Sequence, residues 1–427
     1  MVLDQSKSLL ERGRAVIPSA SQTFSKGPNQ WPGAVSPHYL QRGKGAWVWD
    51  VDGNKYLDYL MALGPIILGY GNERVNEAVK HQVGEGTVFS QMHPLEVEVA
   101  EKLVDLIPCA EMVRFAKNGS DVTTGAIRAA RAHTGRERVA FCGYHGWHDW
   151  YIGTTTRDLG VPAAVQELSH AFVYNDLASL EDLLTAYPDE FAAVIMEPIG
   201  VEPANEGFLE EVRELCTKSG TLLVFDEIVT GFRFAMGGVQ EICGVTPDMA
   251  CFGKAMANGY PLSAVVGRRD VMEIFDDIFF SGTFGGDAIA LAACKATIEE
   301  MEEKNVIQHI HKVGDLLKTG LQNILLQNGL QDDVLVLGYG VRSVLSFPHH
   351  EEEEMLLRRS FFMQECIKRG LLYFCSHIPC FAHGEAELEF TLNVFNEIVP
   401  IFAEANIAND FANRLDGDPV QAIFRKA

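Results

Sequence analysis

The fold is decided by two neighbouring stretches, LLVFDE at residues 222–227 and TPDMACFGKAMANGYPLSAVVG at residues 246–267. They contain apolar runs of strand length, at Thr221–Phe225, Met249–Phe252 and Ala264–Gly267. Continuous apolar runs bounded by polar or small residues are typical of strands that are buried on both faces of a sheet. The first run is followed by Asp226, and the second is followed by Gly253 and a single lysine, Lys254.

The same pattern extends upstream of these two stretches. Further strands are predicted at Met112–Ala116, Arg138–Cys142 and Ala192–Met196, and helical patterns separate several of them. Strands that alternate with helices predict an α/β fold with a mainly parallel sheet covered by helices. In such folds ligands bind at the carboxyl ends of the strands.

The flanking segments predict a second, smaller α/β lobe. Trp47–Asp50 and Lys55–Asp58 are expected to form a hairpin, whereas residues 21–45, rich in Gly, Pro, Asn and Ser, predict a surface loop. Strands near Val334–Leu337 and Ser343–Ser346 lie between helices. The expected organisation is residues 61–305 as the large domain and residues 306–427 as the small α/β domain, which the N-terminal segment 1–60 joins.

The composition argues against several classes of partner. A formal net charge of −23 disfavours nucleic acid and anionic membranes, because both attract Lys and Arg. The nine cysteines form no CxxC pair, the first residues lack an apolar signal core, and no apolar run approaches membrane-spanning length. We expect a soluble cytoplasmic protein. The run Glu351–Glu354 after His349 and His350 is interpreted as a solvated helix start, and no metal is predicted.

Polar residues follow each central strand of the predicted sheet. In chain order the following segments are KNGSD, GYHGWHDW, EPIG, DEI and GK. Because the carboxyl ends of parallel strands share an edge, we expect these segments to lie together. Gly119, Ser120 and Asp121 stand at a helix start, where free amide groups and the helix dipole favour an anion.

Each of these residues also has a purely structural interpretation. Ser120 or Asp121 could be a helix cap, and Asp226 could be another. Tyr144 could belong to an aromatic core cluster. A nucleotide-hydrolase interpretation of LLVFDE requires a glycine-rich loop of the form GxxxxGK followed by Ser or Thr. Around Lys254 that pattern fails, because its first glycine is replaced by Asp248 and its hydroxyl residue by Ala255.

All of these groups together suit one cofactor, pyridoxal phosphate. It requires a desolvated lysine for its Schiff base and an acid that keeps its ring nitrogen protonated. It also requires amide groups for its phosphate and flat side chains for its ring. Burial favours the neutral amine of a lysine such as Lys254, which can then act as nucleophile and proton carrier.

The chain resembles a known family at this point, the class III (ω-type) aminotransferases among the fold-type-I pyridoxal phosphate enzymes. Within that family it is most similar to the glutamate-1-semialdehyde 2,1-aminomutases. The resemblance runs from about residue 45 to 298 and more faintly to the C-terminus. Its carriers are KGAWVWDVDGNKYLDY, GPIILGYG, FAKNGSD, GYHGWHD, IMEPIG, LLVFDEIVTGFR, TPDMACFGKAMANGYPLSAVVGRRD and FSGTFGGD.

The resemblance implies a role for each residue of the site. Lys254 would carry the cofactor covalently, and Asp226 would pair with its ring nitrogen. Ile228 would pack on one ring face and Tyr144 on the other, with Glu197 near the ring substituents. The phosphate would be bound mainly by the backbone amides of Gly119, Ser120 and Asp121. Thr283 would reach the phosphate of a neighbouring subunit, which implies a homodimer with shared active sites.

The chain departs from the aminomutases where substrate carboxylates are bound. They carry a Pro-Val-Arg segment near the N-terminus, whereas this chain reads FSKGPNQWPG and has no arginine between Arg14 and Arg42. Many other members use a late arginine, but residues 370–413 contain neither Lys nor Arg. The aminomutase gating loop is replaced by HDWYIGTTTRDLGVPAA. Lys26 or an inward-turned Arg233 could substitute for the missing arginine.

We therefore predict an aminotransferase that takes an amino group from a donor amine and gives it to a carbonyl acceptor with few carboxylates. An amino-sugar or aminopolyol precursor would be such an acceptor. The alternative is the aminomutase reaction, in which one molecule is both donor and acceptor. A regulator built on the same fold is a third interpretation, but it would be expected to carry a fused DNA-binding domain.

Overall fold

The computed structural model describes residues 1–348 and 350–422. The strands of this part are β1 Leu40–Lys44, β2 Trp47–Asp50, β3 Lys55–Asp58, β4 Met112–Ala116, β5 Arg138–Cys142, β6 Ser169–Ala171, β7 Phe191–Met196, β8 Leu222–Asp226, β9 Met249–Phe252, β10 Ser263–Gly267, β11 Leu335–Tyr339, β12 Arg342–Ser346, β13 Leu371–Leu372 and β14 Ser376–His377.

The helices lie between these strands and at both ends of the described chain. They are α1 Asp4–Val16, α2 Glu73–Glu85, α3 Pro94–Leu106, α4 Gly119–Thr134, α5 Asp149–Ile152, α6 Ala163–Gln166, α7 Leu177–Ala186, α8 Phe208–Ser219, α9 Val239–Cys243, α10 Arg269–Met272, α11 Ala288–Glu303, α12 Val306–Gln327, α13 Glu352–Lys368, α14 Glu385–Ala408 and α15 Phe411–Arg414. None of the helices described is long and apolar enough to cross a membrane.

The chain divides into two compact units. Residues 73–307 form one unit, and residues 1–72 form the other together with the described residues from 308 onward. The boundaries predicted from the sequence lay at residues 60 and 305, and as domain boundaries they stay a prediction.

The first of these units contains a sheet of seven strands in the order β4-β10-β9-β8-β7-β5-β6. Strands β5 to β9 pair in parallel, as predicted, and their residues are almost completely buried in β7, β8 and β9. Strand β10 instead runs antiparallel to both of its neighbours. A parallel partner would need a crossover of about a dozen or more residues, and the connection Gly253–Leu262 is shorter than that.

The other unit has two small sheets around its own core. The predicted hairpin forms between β2 and β3, and β13 pairs with β3 in parallel. The expectation of a loop over residues 21–45 is wrong at its end, where β1 pairs antiparallel with β2. Strand β1 has the sequence LQRGK and is mostly exposed, so it shows no apolar alternation. Its pairing and the stacking of Arg42 on Trp49 at 3.9 Å hold it in place.

The interpretation of Glu351–Glu354 as a helix start is confirmed in outline, because α13 begins at Glu352 with three acidic residues in its first turn. His349 lies outside the described residues.

Candidate active site

The segments that follow five strands lie at one edge of the seven-stranded sheet. Strands β5, β7, β8 and β9 are parallel neighbours, and β4 points the same way because β10 is antiparallel to both β4 and β9. Their carboxyl ends present the helix start at Gly119, then Tyr144, Glu197, Asp226 and Lys254. The polar residues that the sequence placed after separate strands are therefore on the same side of the sheet.

Asp226 is the last residue of β8 and is only 3% exposed. Its Oδ1 accepts a hydrogen bond from the amide of Ile228 at 3.1 Å. Its Oδ2 lies 2.8 Å from Nδ1 of His145, a side chain that is itself 2% exposed. Both oxygens thus have fixed partners, which a solvated helix cap would not need.

His145 is the residue of the site that the sequence reasoning missed. Its Nε2 lies 3.1 Å from the carbonyl oxygen of Cys142, and because a carbonyl only accepts, Nε2 carries a hydrogen. The ring packs between Phe141, Trp150 and Tyr151. The motif GYHGWHD contained the signal, but the pairing with Asp226 becomes visible only when β5 and β8 are placed on either side of β7.

The helix start after β4 forms a narrow cradle. Gly119 and Ser120 are the first residues of α4, so their amide groups have no partner within the helix. A Cβ atom at Gly119 would lie 2.6 Å from Cδ1 of Ile228, which leaves no room for a side chain. The Asp121 carboxylate is turned back and accepts a hydrogen bond from the amide of Asn118 at 2.8 Å. Asp121 therefore caps the helix with its side chain, and its own amide donates to the carbonyl oxygen of Asn118 at 3.1 Å, so the free amides of this cradle are those of Gly119 and Ser120.

Ile228 connects this cradle with the lysine. Its side chain lies against Gly119 on one side, and a Cβ built on Gly253 would be 3.8 Å from its Cγ2. Its amide is bonded to Asp226, so the position of its side chain is fixed relative to the carboxylate. Ile228 is partly buried and packs against the core of this unit.

Lys254 follows β9 after a single glycine and is half-buried. Its backbone is in the left-handed region, with φ +43°. For a residue other than glycine that conformation costs about 1–3 kcal/mol, and such strain is concentrated at functional sites. The tight turn of Lys254–Ala257 keeps the lysine next to the end of β9.

Tyr144 and Glu197 form the outer side of the same edge. Tyr144 is 52% exposed, and its amide donates to Oε1 of Glu197 at 3.5 Å. Partial burial and the charge of Asp226 raise the pKa of the Tyr144 phenol. Gly143, with φ +107°, lets the chain turn close to the Glu197 side chain.

Glu227, beside Asp226, fixes the chain that follows β8. It is completely buried, and its carboxylate accepts hydrogen bonds from the Thr230 hydroxyl and from the amides of Val239 and Gln240 at 3.0 and 3.1 Å. Burial raises the pKa of Glu227 to about 7, and the three donors oppose that rise. Its role is to connect the end of β8 with the start of α9.

Thr283 is the site residue that is predicted to reach the phosphate of a neighbouring subunit, and that role stays a prediction. It lies in an exposed turn, next to a groove of about 400 Å³ that Lys117 and Asp121 also line. Lys117 is ion-paired with Asp287 at 2.9 Å. Within the part of the chain that the structure describes, no group of acidic, histidine and cysteine residues could hold a metal ion.

The residues present fit pyridoxal phosphate. The cradle at Gly119 offers amide groups at a helix N-terminus, which suits a phosphate, and a Cβ would fill it. The buried carboxylate of Asp226 suits a protonated ring nitrogen, and the apolar side chain of Ile228 suits a ring face. Lys254 supplies the amine. The donor set therefore matches the phosphate, the ring and the aldehyde of this cofactor.

Comparison with known proteins agrees with this fit. The model of the family "Aminotransferase class-III" matches residues 32–378. The 3-aminobutyryl-CoA aminotransferase of Cloacimonas acidaminovorans is 36% identical over 406 residues, which cover 92% of this chain and 96% of that protein. A glutamate-1-semialdehyde 2,1-aminomutase of Acetivibrio thermocellus is 39% identical over 345 residues, which cover 76% and 80%.

Solved structures give the same answer for the fold. The PLP-bound FumI protein of Sphingopyxis sp. MTA144 has a TM-score of 0.88 to this chain at 29% identity, covering 98% of this chain and 99% of that one. An ω-transaminase from Sphaerobacter thermophilus has a TM-score of 0.85 at 27% identity, covering 93% and 98%. The resemblance seen in the sequence is confirmed, and the chain belongs to the class-III aminotransferases, as an enzyme whose cofactor is pyridoxal phosphate.

Proposed function

We propose that this aminotransferase passes an amino group to a carbonyl acceptor that has no carboxylate near its reacting carbon. An amino-sugar or aminopolyol precursor would meet this requirement. The observation that carries the proposal is the distribution of charge: Asp226 and Glu197 stand at the sheet edge, whereas a carboxylate substrate normally requires a bidentate arginine.

Two basic residues, Arg233 and Lys117, do not suit the role of that arginine. Arg233 is only 1% exposed, so its guanidinium does not open to a substrate. Lys117, which is close to the cradle in sequence, is already neutralised by Asp287. Lys26 lies in an exposed turn of the other unit.

The name of one relative also supports a substrate without a free carboxylate. The protein from Cloacimonas acidaminovorans is named for 3-aminobutyryl-CoA, an amine whose carboxyl group is masked as a thioester. A masked carboxyl group needs no arginine. The second candidate function is the aminomutase reaction, which is favoured by the 39% identity to the enzyme of Acetivibrio thermocellus.

The roles of the residues follow from their positions. Pyridoxal phosphate, when bound, supplies an electron sink for the electron pair left on a carbon whose proton is removed. The Lys254 amine carries that proton from the donor carbon and returns it on the acceptor side in the second half of the reaction. Asp226, fixed by His145 and Ile228, holds the proton on the ring nitrogen. The amides of Gly119 and Ser120 bind the phosphate.

The family also implies a dimer, and the surface around Thr283 is consistent with a second copy as partner. Phe279, Phe284 and Met92 are 81%, 59% and 79% exposed. Large exposed apolar side chains grouped around one segment mark an interaction surface. In this proposal the segment 279–285 packs on a second copy, where Thr283 meets the phosphate of the partner's site.

The proposed substrate class is tested by acceptors that share one keto group and differ in whether the carboxyl group near it is free or masked. The protein is loaded with pyridoxamine phosphate and given acetoacetate, its methyl ester or its coenzyme A thioester, and return of the cofactor to the aldehyde form is followed by absorbance. We expect the ester or the thioester to react at least about tenfold faster than the acid, which corresponds to about 1.4 kcal/mol. Faster reaction of the free acid would overturn the proposal.

A further inference from the structure

Tyr151 is a residue at the same sheet edge to which none of the roles above is assigned. Its ring packs edge-to-face against Phe141, Tyr144 and His145, in each case with 5.5 Å between ring centroids. The side chain is 7% exposed. Tyr151 lies on a short helix, and three other rings hold its ring in place. Its hydroxyl therefore has a defined position beside the residues that surround the cofactor site.

The surroundings of this hydroxyl are acidic. Burial raises the pKa of the Tyr151 phenol, and the charges of Glu197 and Asp226 raise it further. The hydroxyl therefore keeps its hydrogen and can donate it. Within residues 1–348 and 350–422, no other group forms a hydrogen bond with it. A rigid donor without an internal partner is available to a ligand.

The charges around the Tyr151 hydroxyl favour one kind of ligand group. A carboxylate would be repelled by the neighbouring Glu197 and Asp226, whereas an uncharged oxygen would not. The Glu197 carboxylate is an acceptor, and a substrate hydroxyl can both accept a hydrogen bond from Tyr151 and donate one to Glu197. The pair of side chains is thus complementary to a hydroxyl group.

We propose that Tyr151 is a specificity-determining residue that donates a hydrogen bond to an uncharged oxygen of the acceptor, so that the preferred acceptors are hydroxylated carbonyl compounds. The inference rests on the proposed function and narrows it, because it selects hydroxylated acceptors among those that lack a carboxylate. It requires no chemistry beyond the transfer of the amino group.

The test uses two aldehydes of equal chain length, glyceraldehyde and propanal, as probes. The full-length protein loaded with pyridoxamine phosphate is mixed with each probe, and single-turnover rates are measured for the wild type and for Tyr151→Phe. We expect the wild type to react faster with glyceraldehyde than with propanal. In Tyr151→Phe the ratio of these two rates should fall about five- to tenfold, which is the effect of losing one hydrogen bond. The rate with propanal is expected to stay within about twofold.

Two further variants separate recognition from a structural effect. Tyr187→Phe removes a hydroxyl from a ring that stacks with Arg138 elsewhere in the same unit, and should leave the preference unchanged. Glu197→Gln keeps the size of the side chain and should reduce the rate with glyceraldehyde more than with propanal. Equal losses with both aldehydes in Tyr151→Phe would mean that the hydroxyl only supports the fold.

Three outcomes overturn the inference: equal wild-type rates with the two aldehydes, an unchanged preference in Tyr151→Phe, or no reaction with either aldehyde. The acceptor half of the reaction is measured without a donor, and the acceptor pairs with and without a carboxylate are measured separately. An enzyme that prefers the esters but not glyceraldehyde would therefore keep the proposed function and lose this inference.

Discussion

The site has two ends that differ in how completely one chain builds them. At the ring end, Asp226 is 3% exposed and each of its oxygens has a fixed hydrogen-bond partner. At the other end, Thr283 lies in an exposed turn between Phe279 and Phe284, which are 81% and 59% exposed. The difference teaches that the ring end is built by contacts within one chain, whereas in our proposal the contribution of Thr283 requires a second copy.

The largest effect is expected at Lys254. Lys254→Ala should still bind pyridoxal phosphate through the cradle and Asp226 but lose turnover by about 10³–10⁴-fold, because the amine that moves the proton is removed. Turnover is followed by product formation, and binding by cofactor absorbance after gel filtration. Lys295→Ala, which removes one half of a surface ion pair with Glu98, is the control and should keep full activity. Substantial turnover in Lys254→Ala would break the ring-end account.

Asp226→Asn comes next. An amide cannot balance a protonated ring nitrogen, so turnover should fall by about 10²–10³-fold, in the range of a lost preorganised electrostatic contact. Asp189→Asn changes a largely exposed carboxylate and should have no effect. Near-normal activity in Asp226→Asn would reduce this residue to a structural cap.

Through Glu227, the free energy of unfolding is expected to depend on pH. Its pKa is raised from 4.5 to about 7, so the native state holds this proton more tightly than the unfolded state. The stabilisation is complete below about pH 4.5 and is lost as the pH rises through 7, with a total of about 3 kcal/mol. Gln cannot ionise. Between pH 4.5 and 7 the free energy of unfolding of Glu227→Gln should therefore rise relative to that of the wild type by about this amount.

Urea unfolding at several pH values measures this difference, and Glu210→Gln on the exposed face of α8 is the control. A constant difference between Glu227→Gln and the wild type would show that Glu227 does not take up a proton in this range.

His145→Phe should have a smaller effect than Asp226→Asn. Phenylalanine keeps the packing with Phe141 and Trp150 but removes the partner of the Asp226 Oδ2. A lost hydrogen bond to a charged group is worth about 1.5–3 kcal/mol, so turnover should fall about ten- to a hundredfold. The pH dependence of the visible cofactor band should also shift. A variant with unchanged rate and spectrum would show that His145 only fills space.

The smallest effect is expected at the other end of the site. Thr283→Val should weaken cofactor retention about five- to tenfold, the value of one hydrogen bond, while Thr283→Ser keeps the hydroxyl and the affinity. Phe284→Ser should shift the protein toward monomer in sedimentation velocity and reduce retention in the same way. If Thr283→Val weakens cofactor binding equally in a monomeric protein, Thr283 acts within its own chain. The proposed difference between the two ends of the site would then be wrong.

The sequence predicted the parts of this molecule that depend on local pattern. Strands β7, β8 and β9 are continuous apolar runs, and Gly119 and Lys254 lie within three residues of strand ends. It missed what depends on contacts between distant segments. His145 meets Asp226 only across an intervening strand, and β1 is polar, so its pairing with β2 leaves no apolar signal. The antiparallel direction of β10 follows from the short connection Gly253–Leu262 before it, a signal that the sequence does contain.

The most direct test of the function is the reaction with glutamate-1-semialdehyde. The protein loaded with pyridoxamine phosphate is mixed with this compound, and formation of 5-aminolevulinate is followed over many turnovers. Since Arg233 is buried and residues 370–413 contain no Lys or Arg, we predict that the carboxylate is poorly held and that conversion is slow or absent. Efficient multiple turnover would contradict the account and make this enzyme an aminomutase.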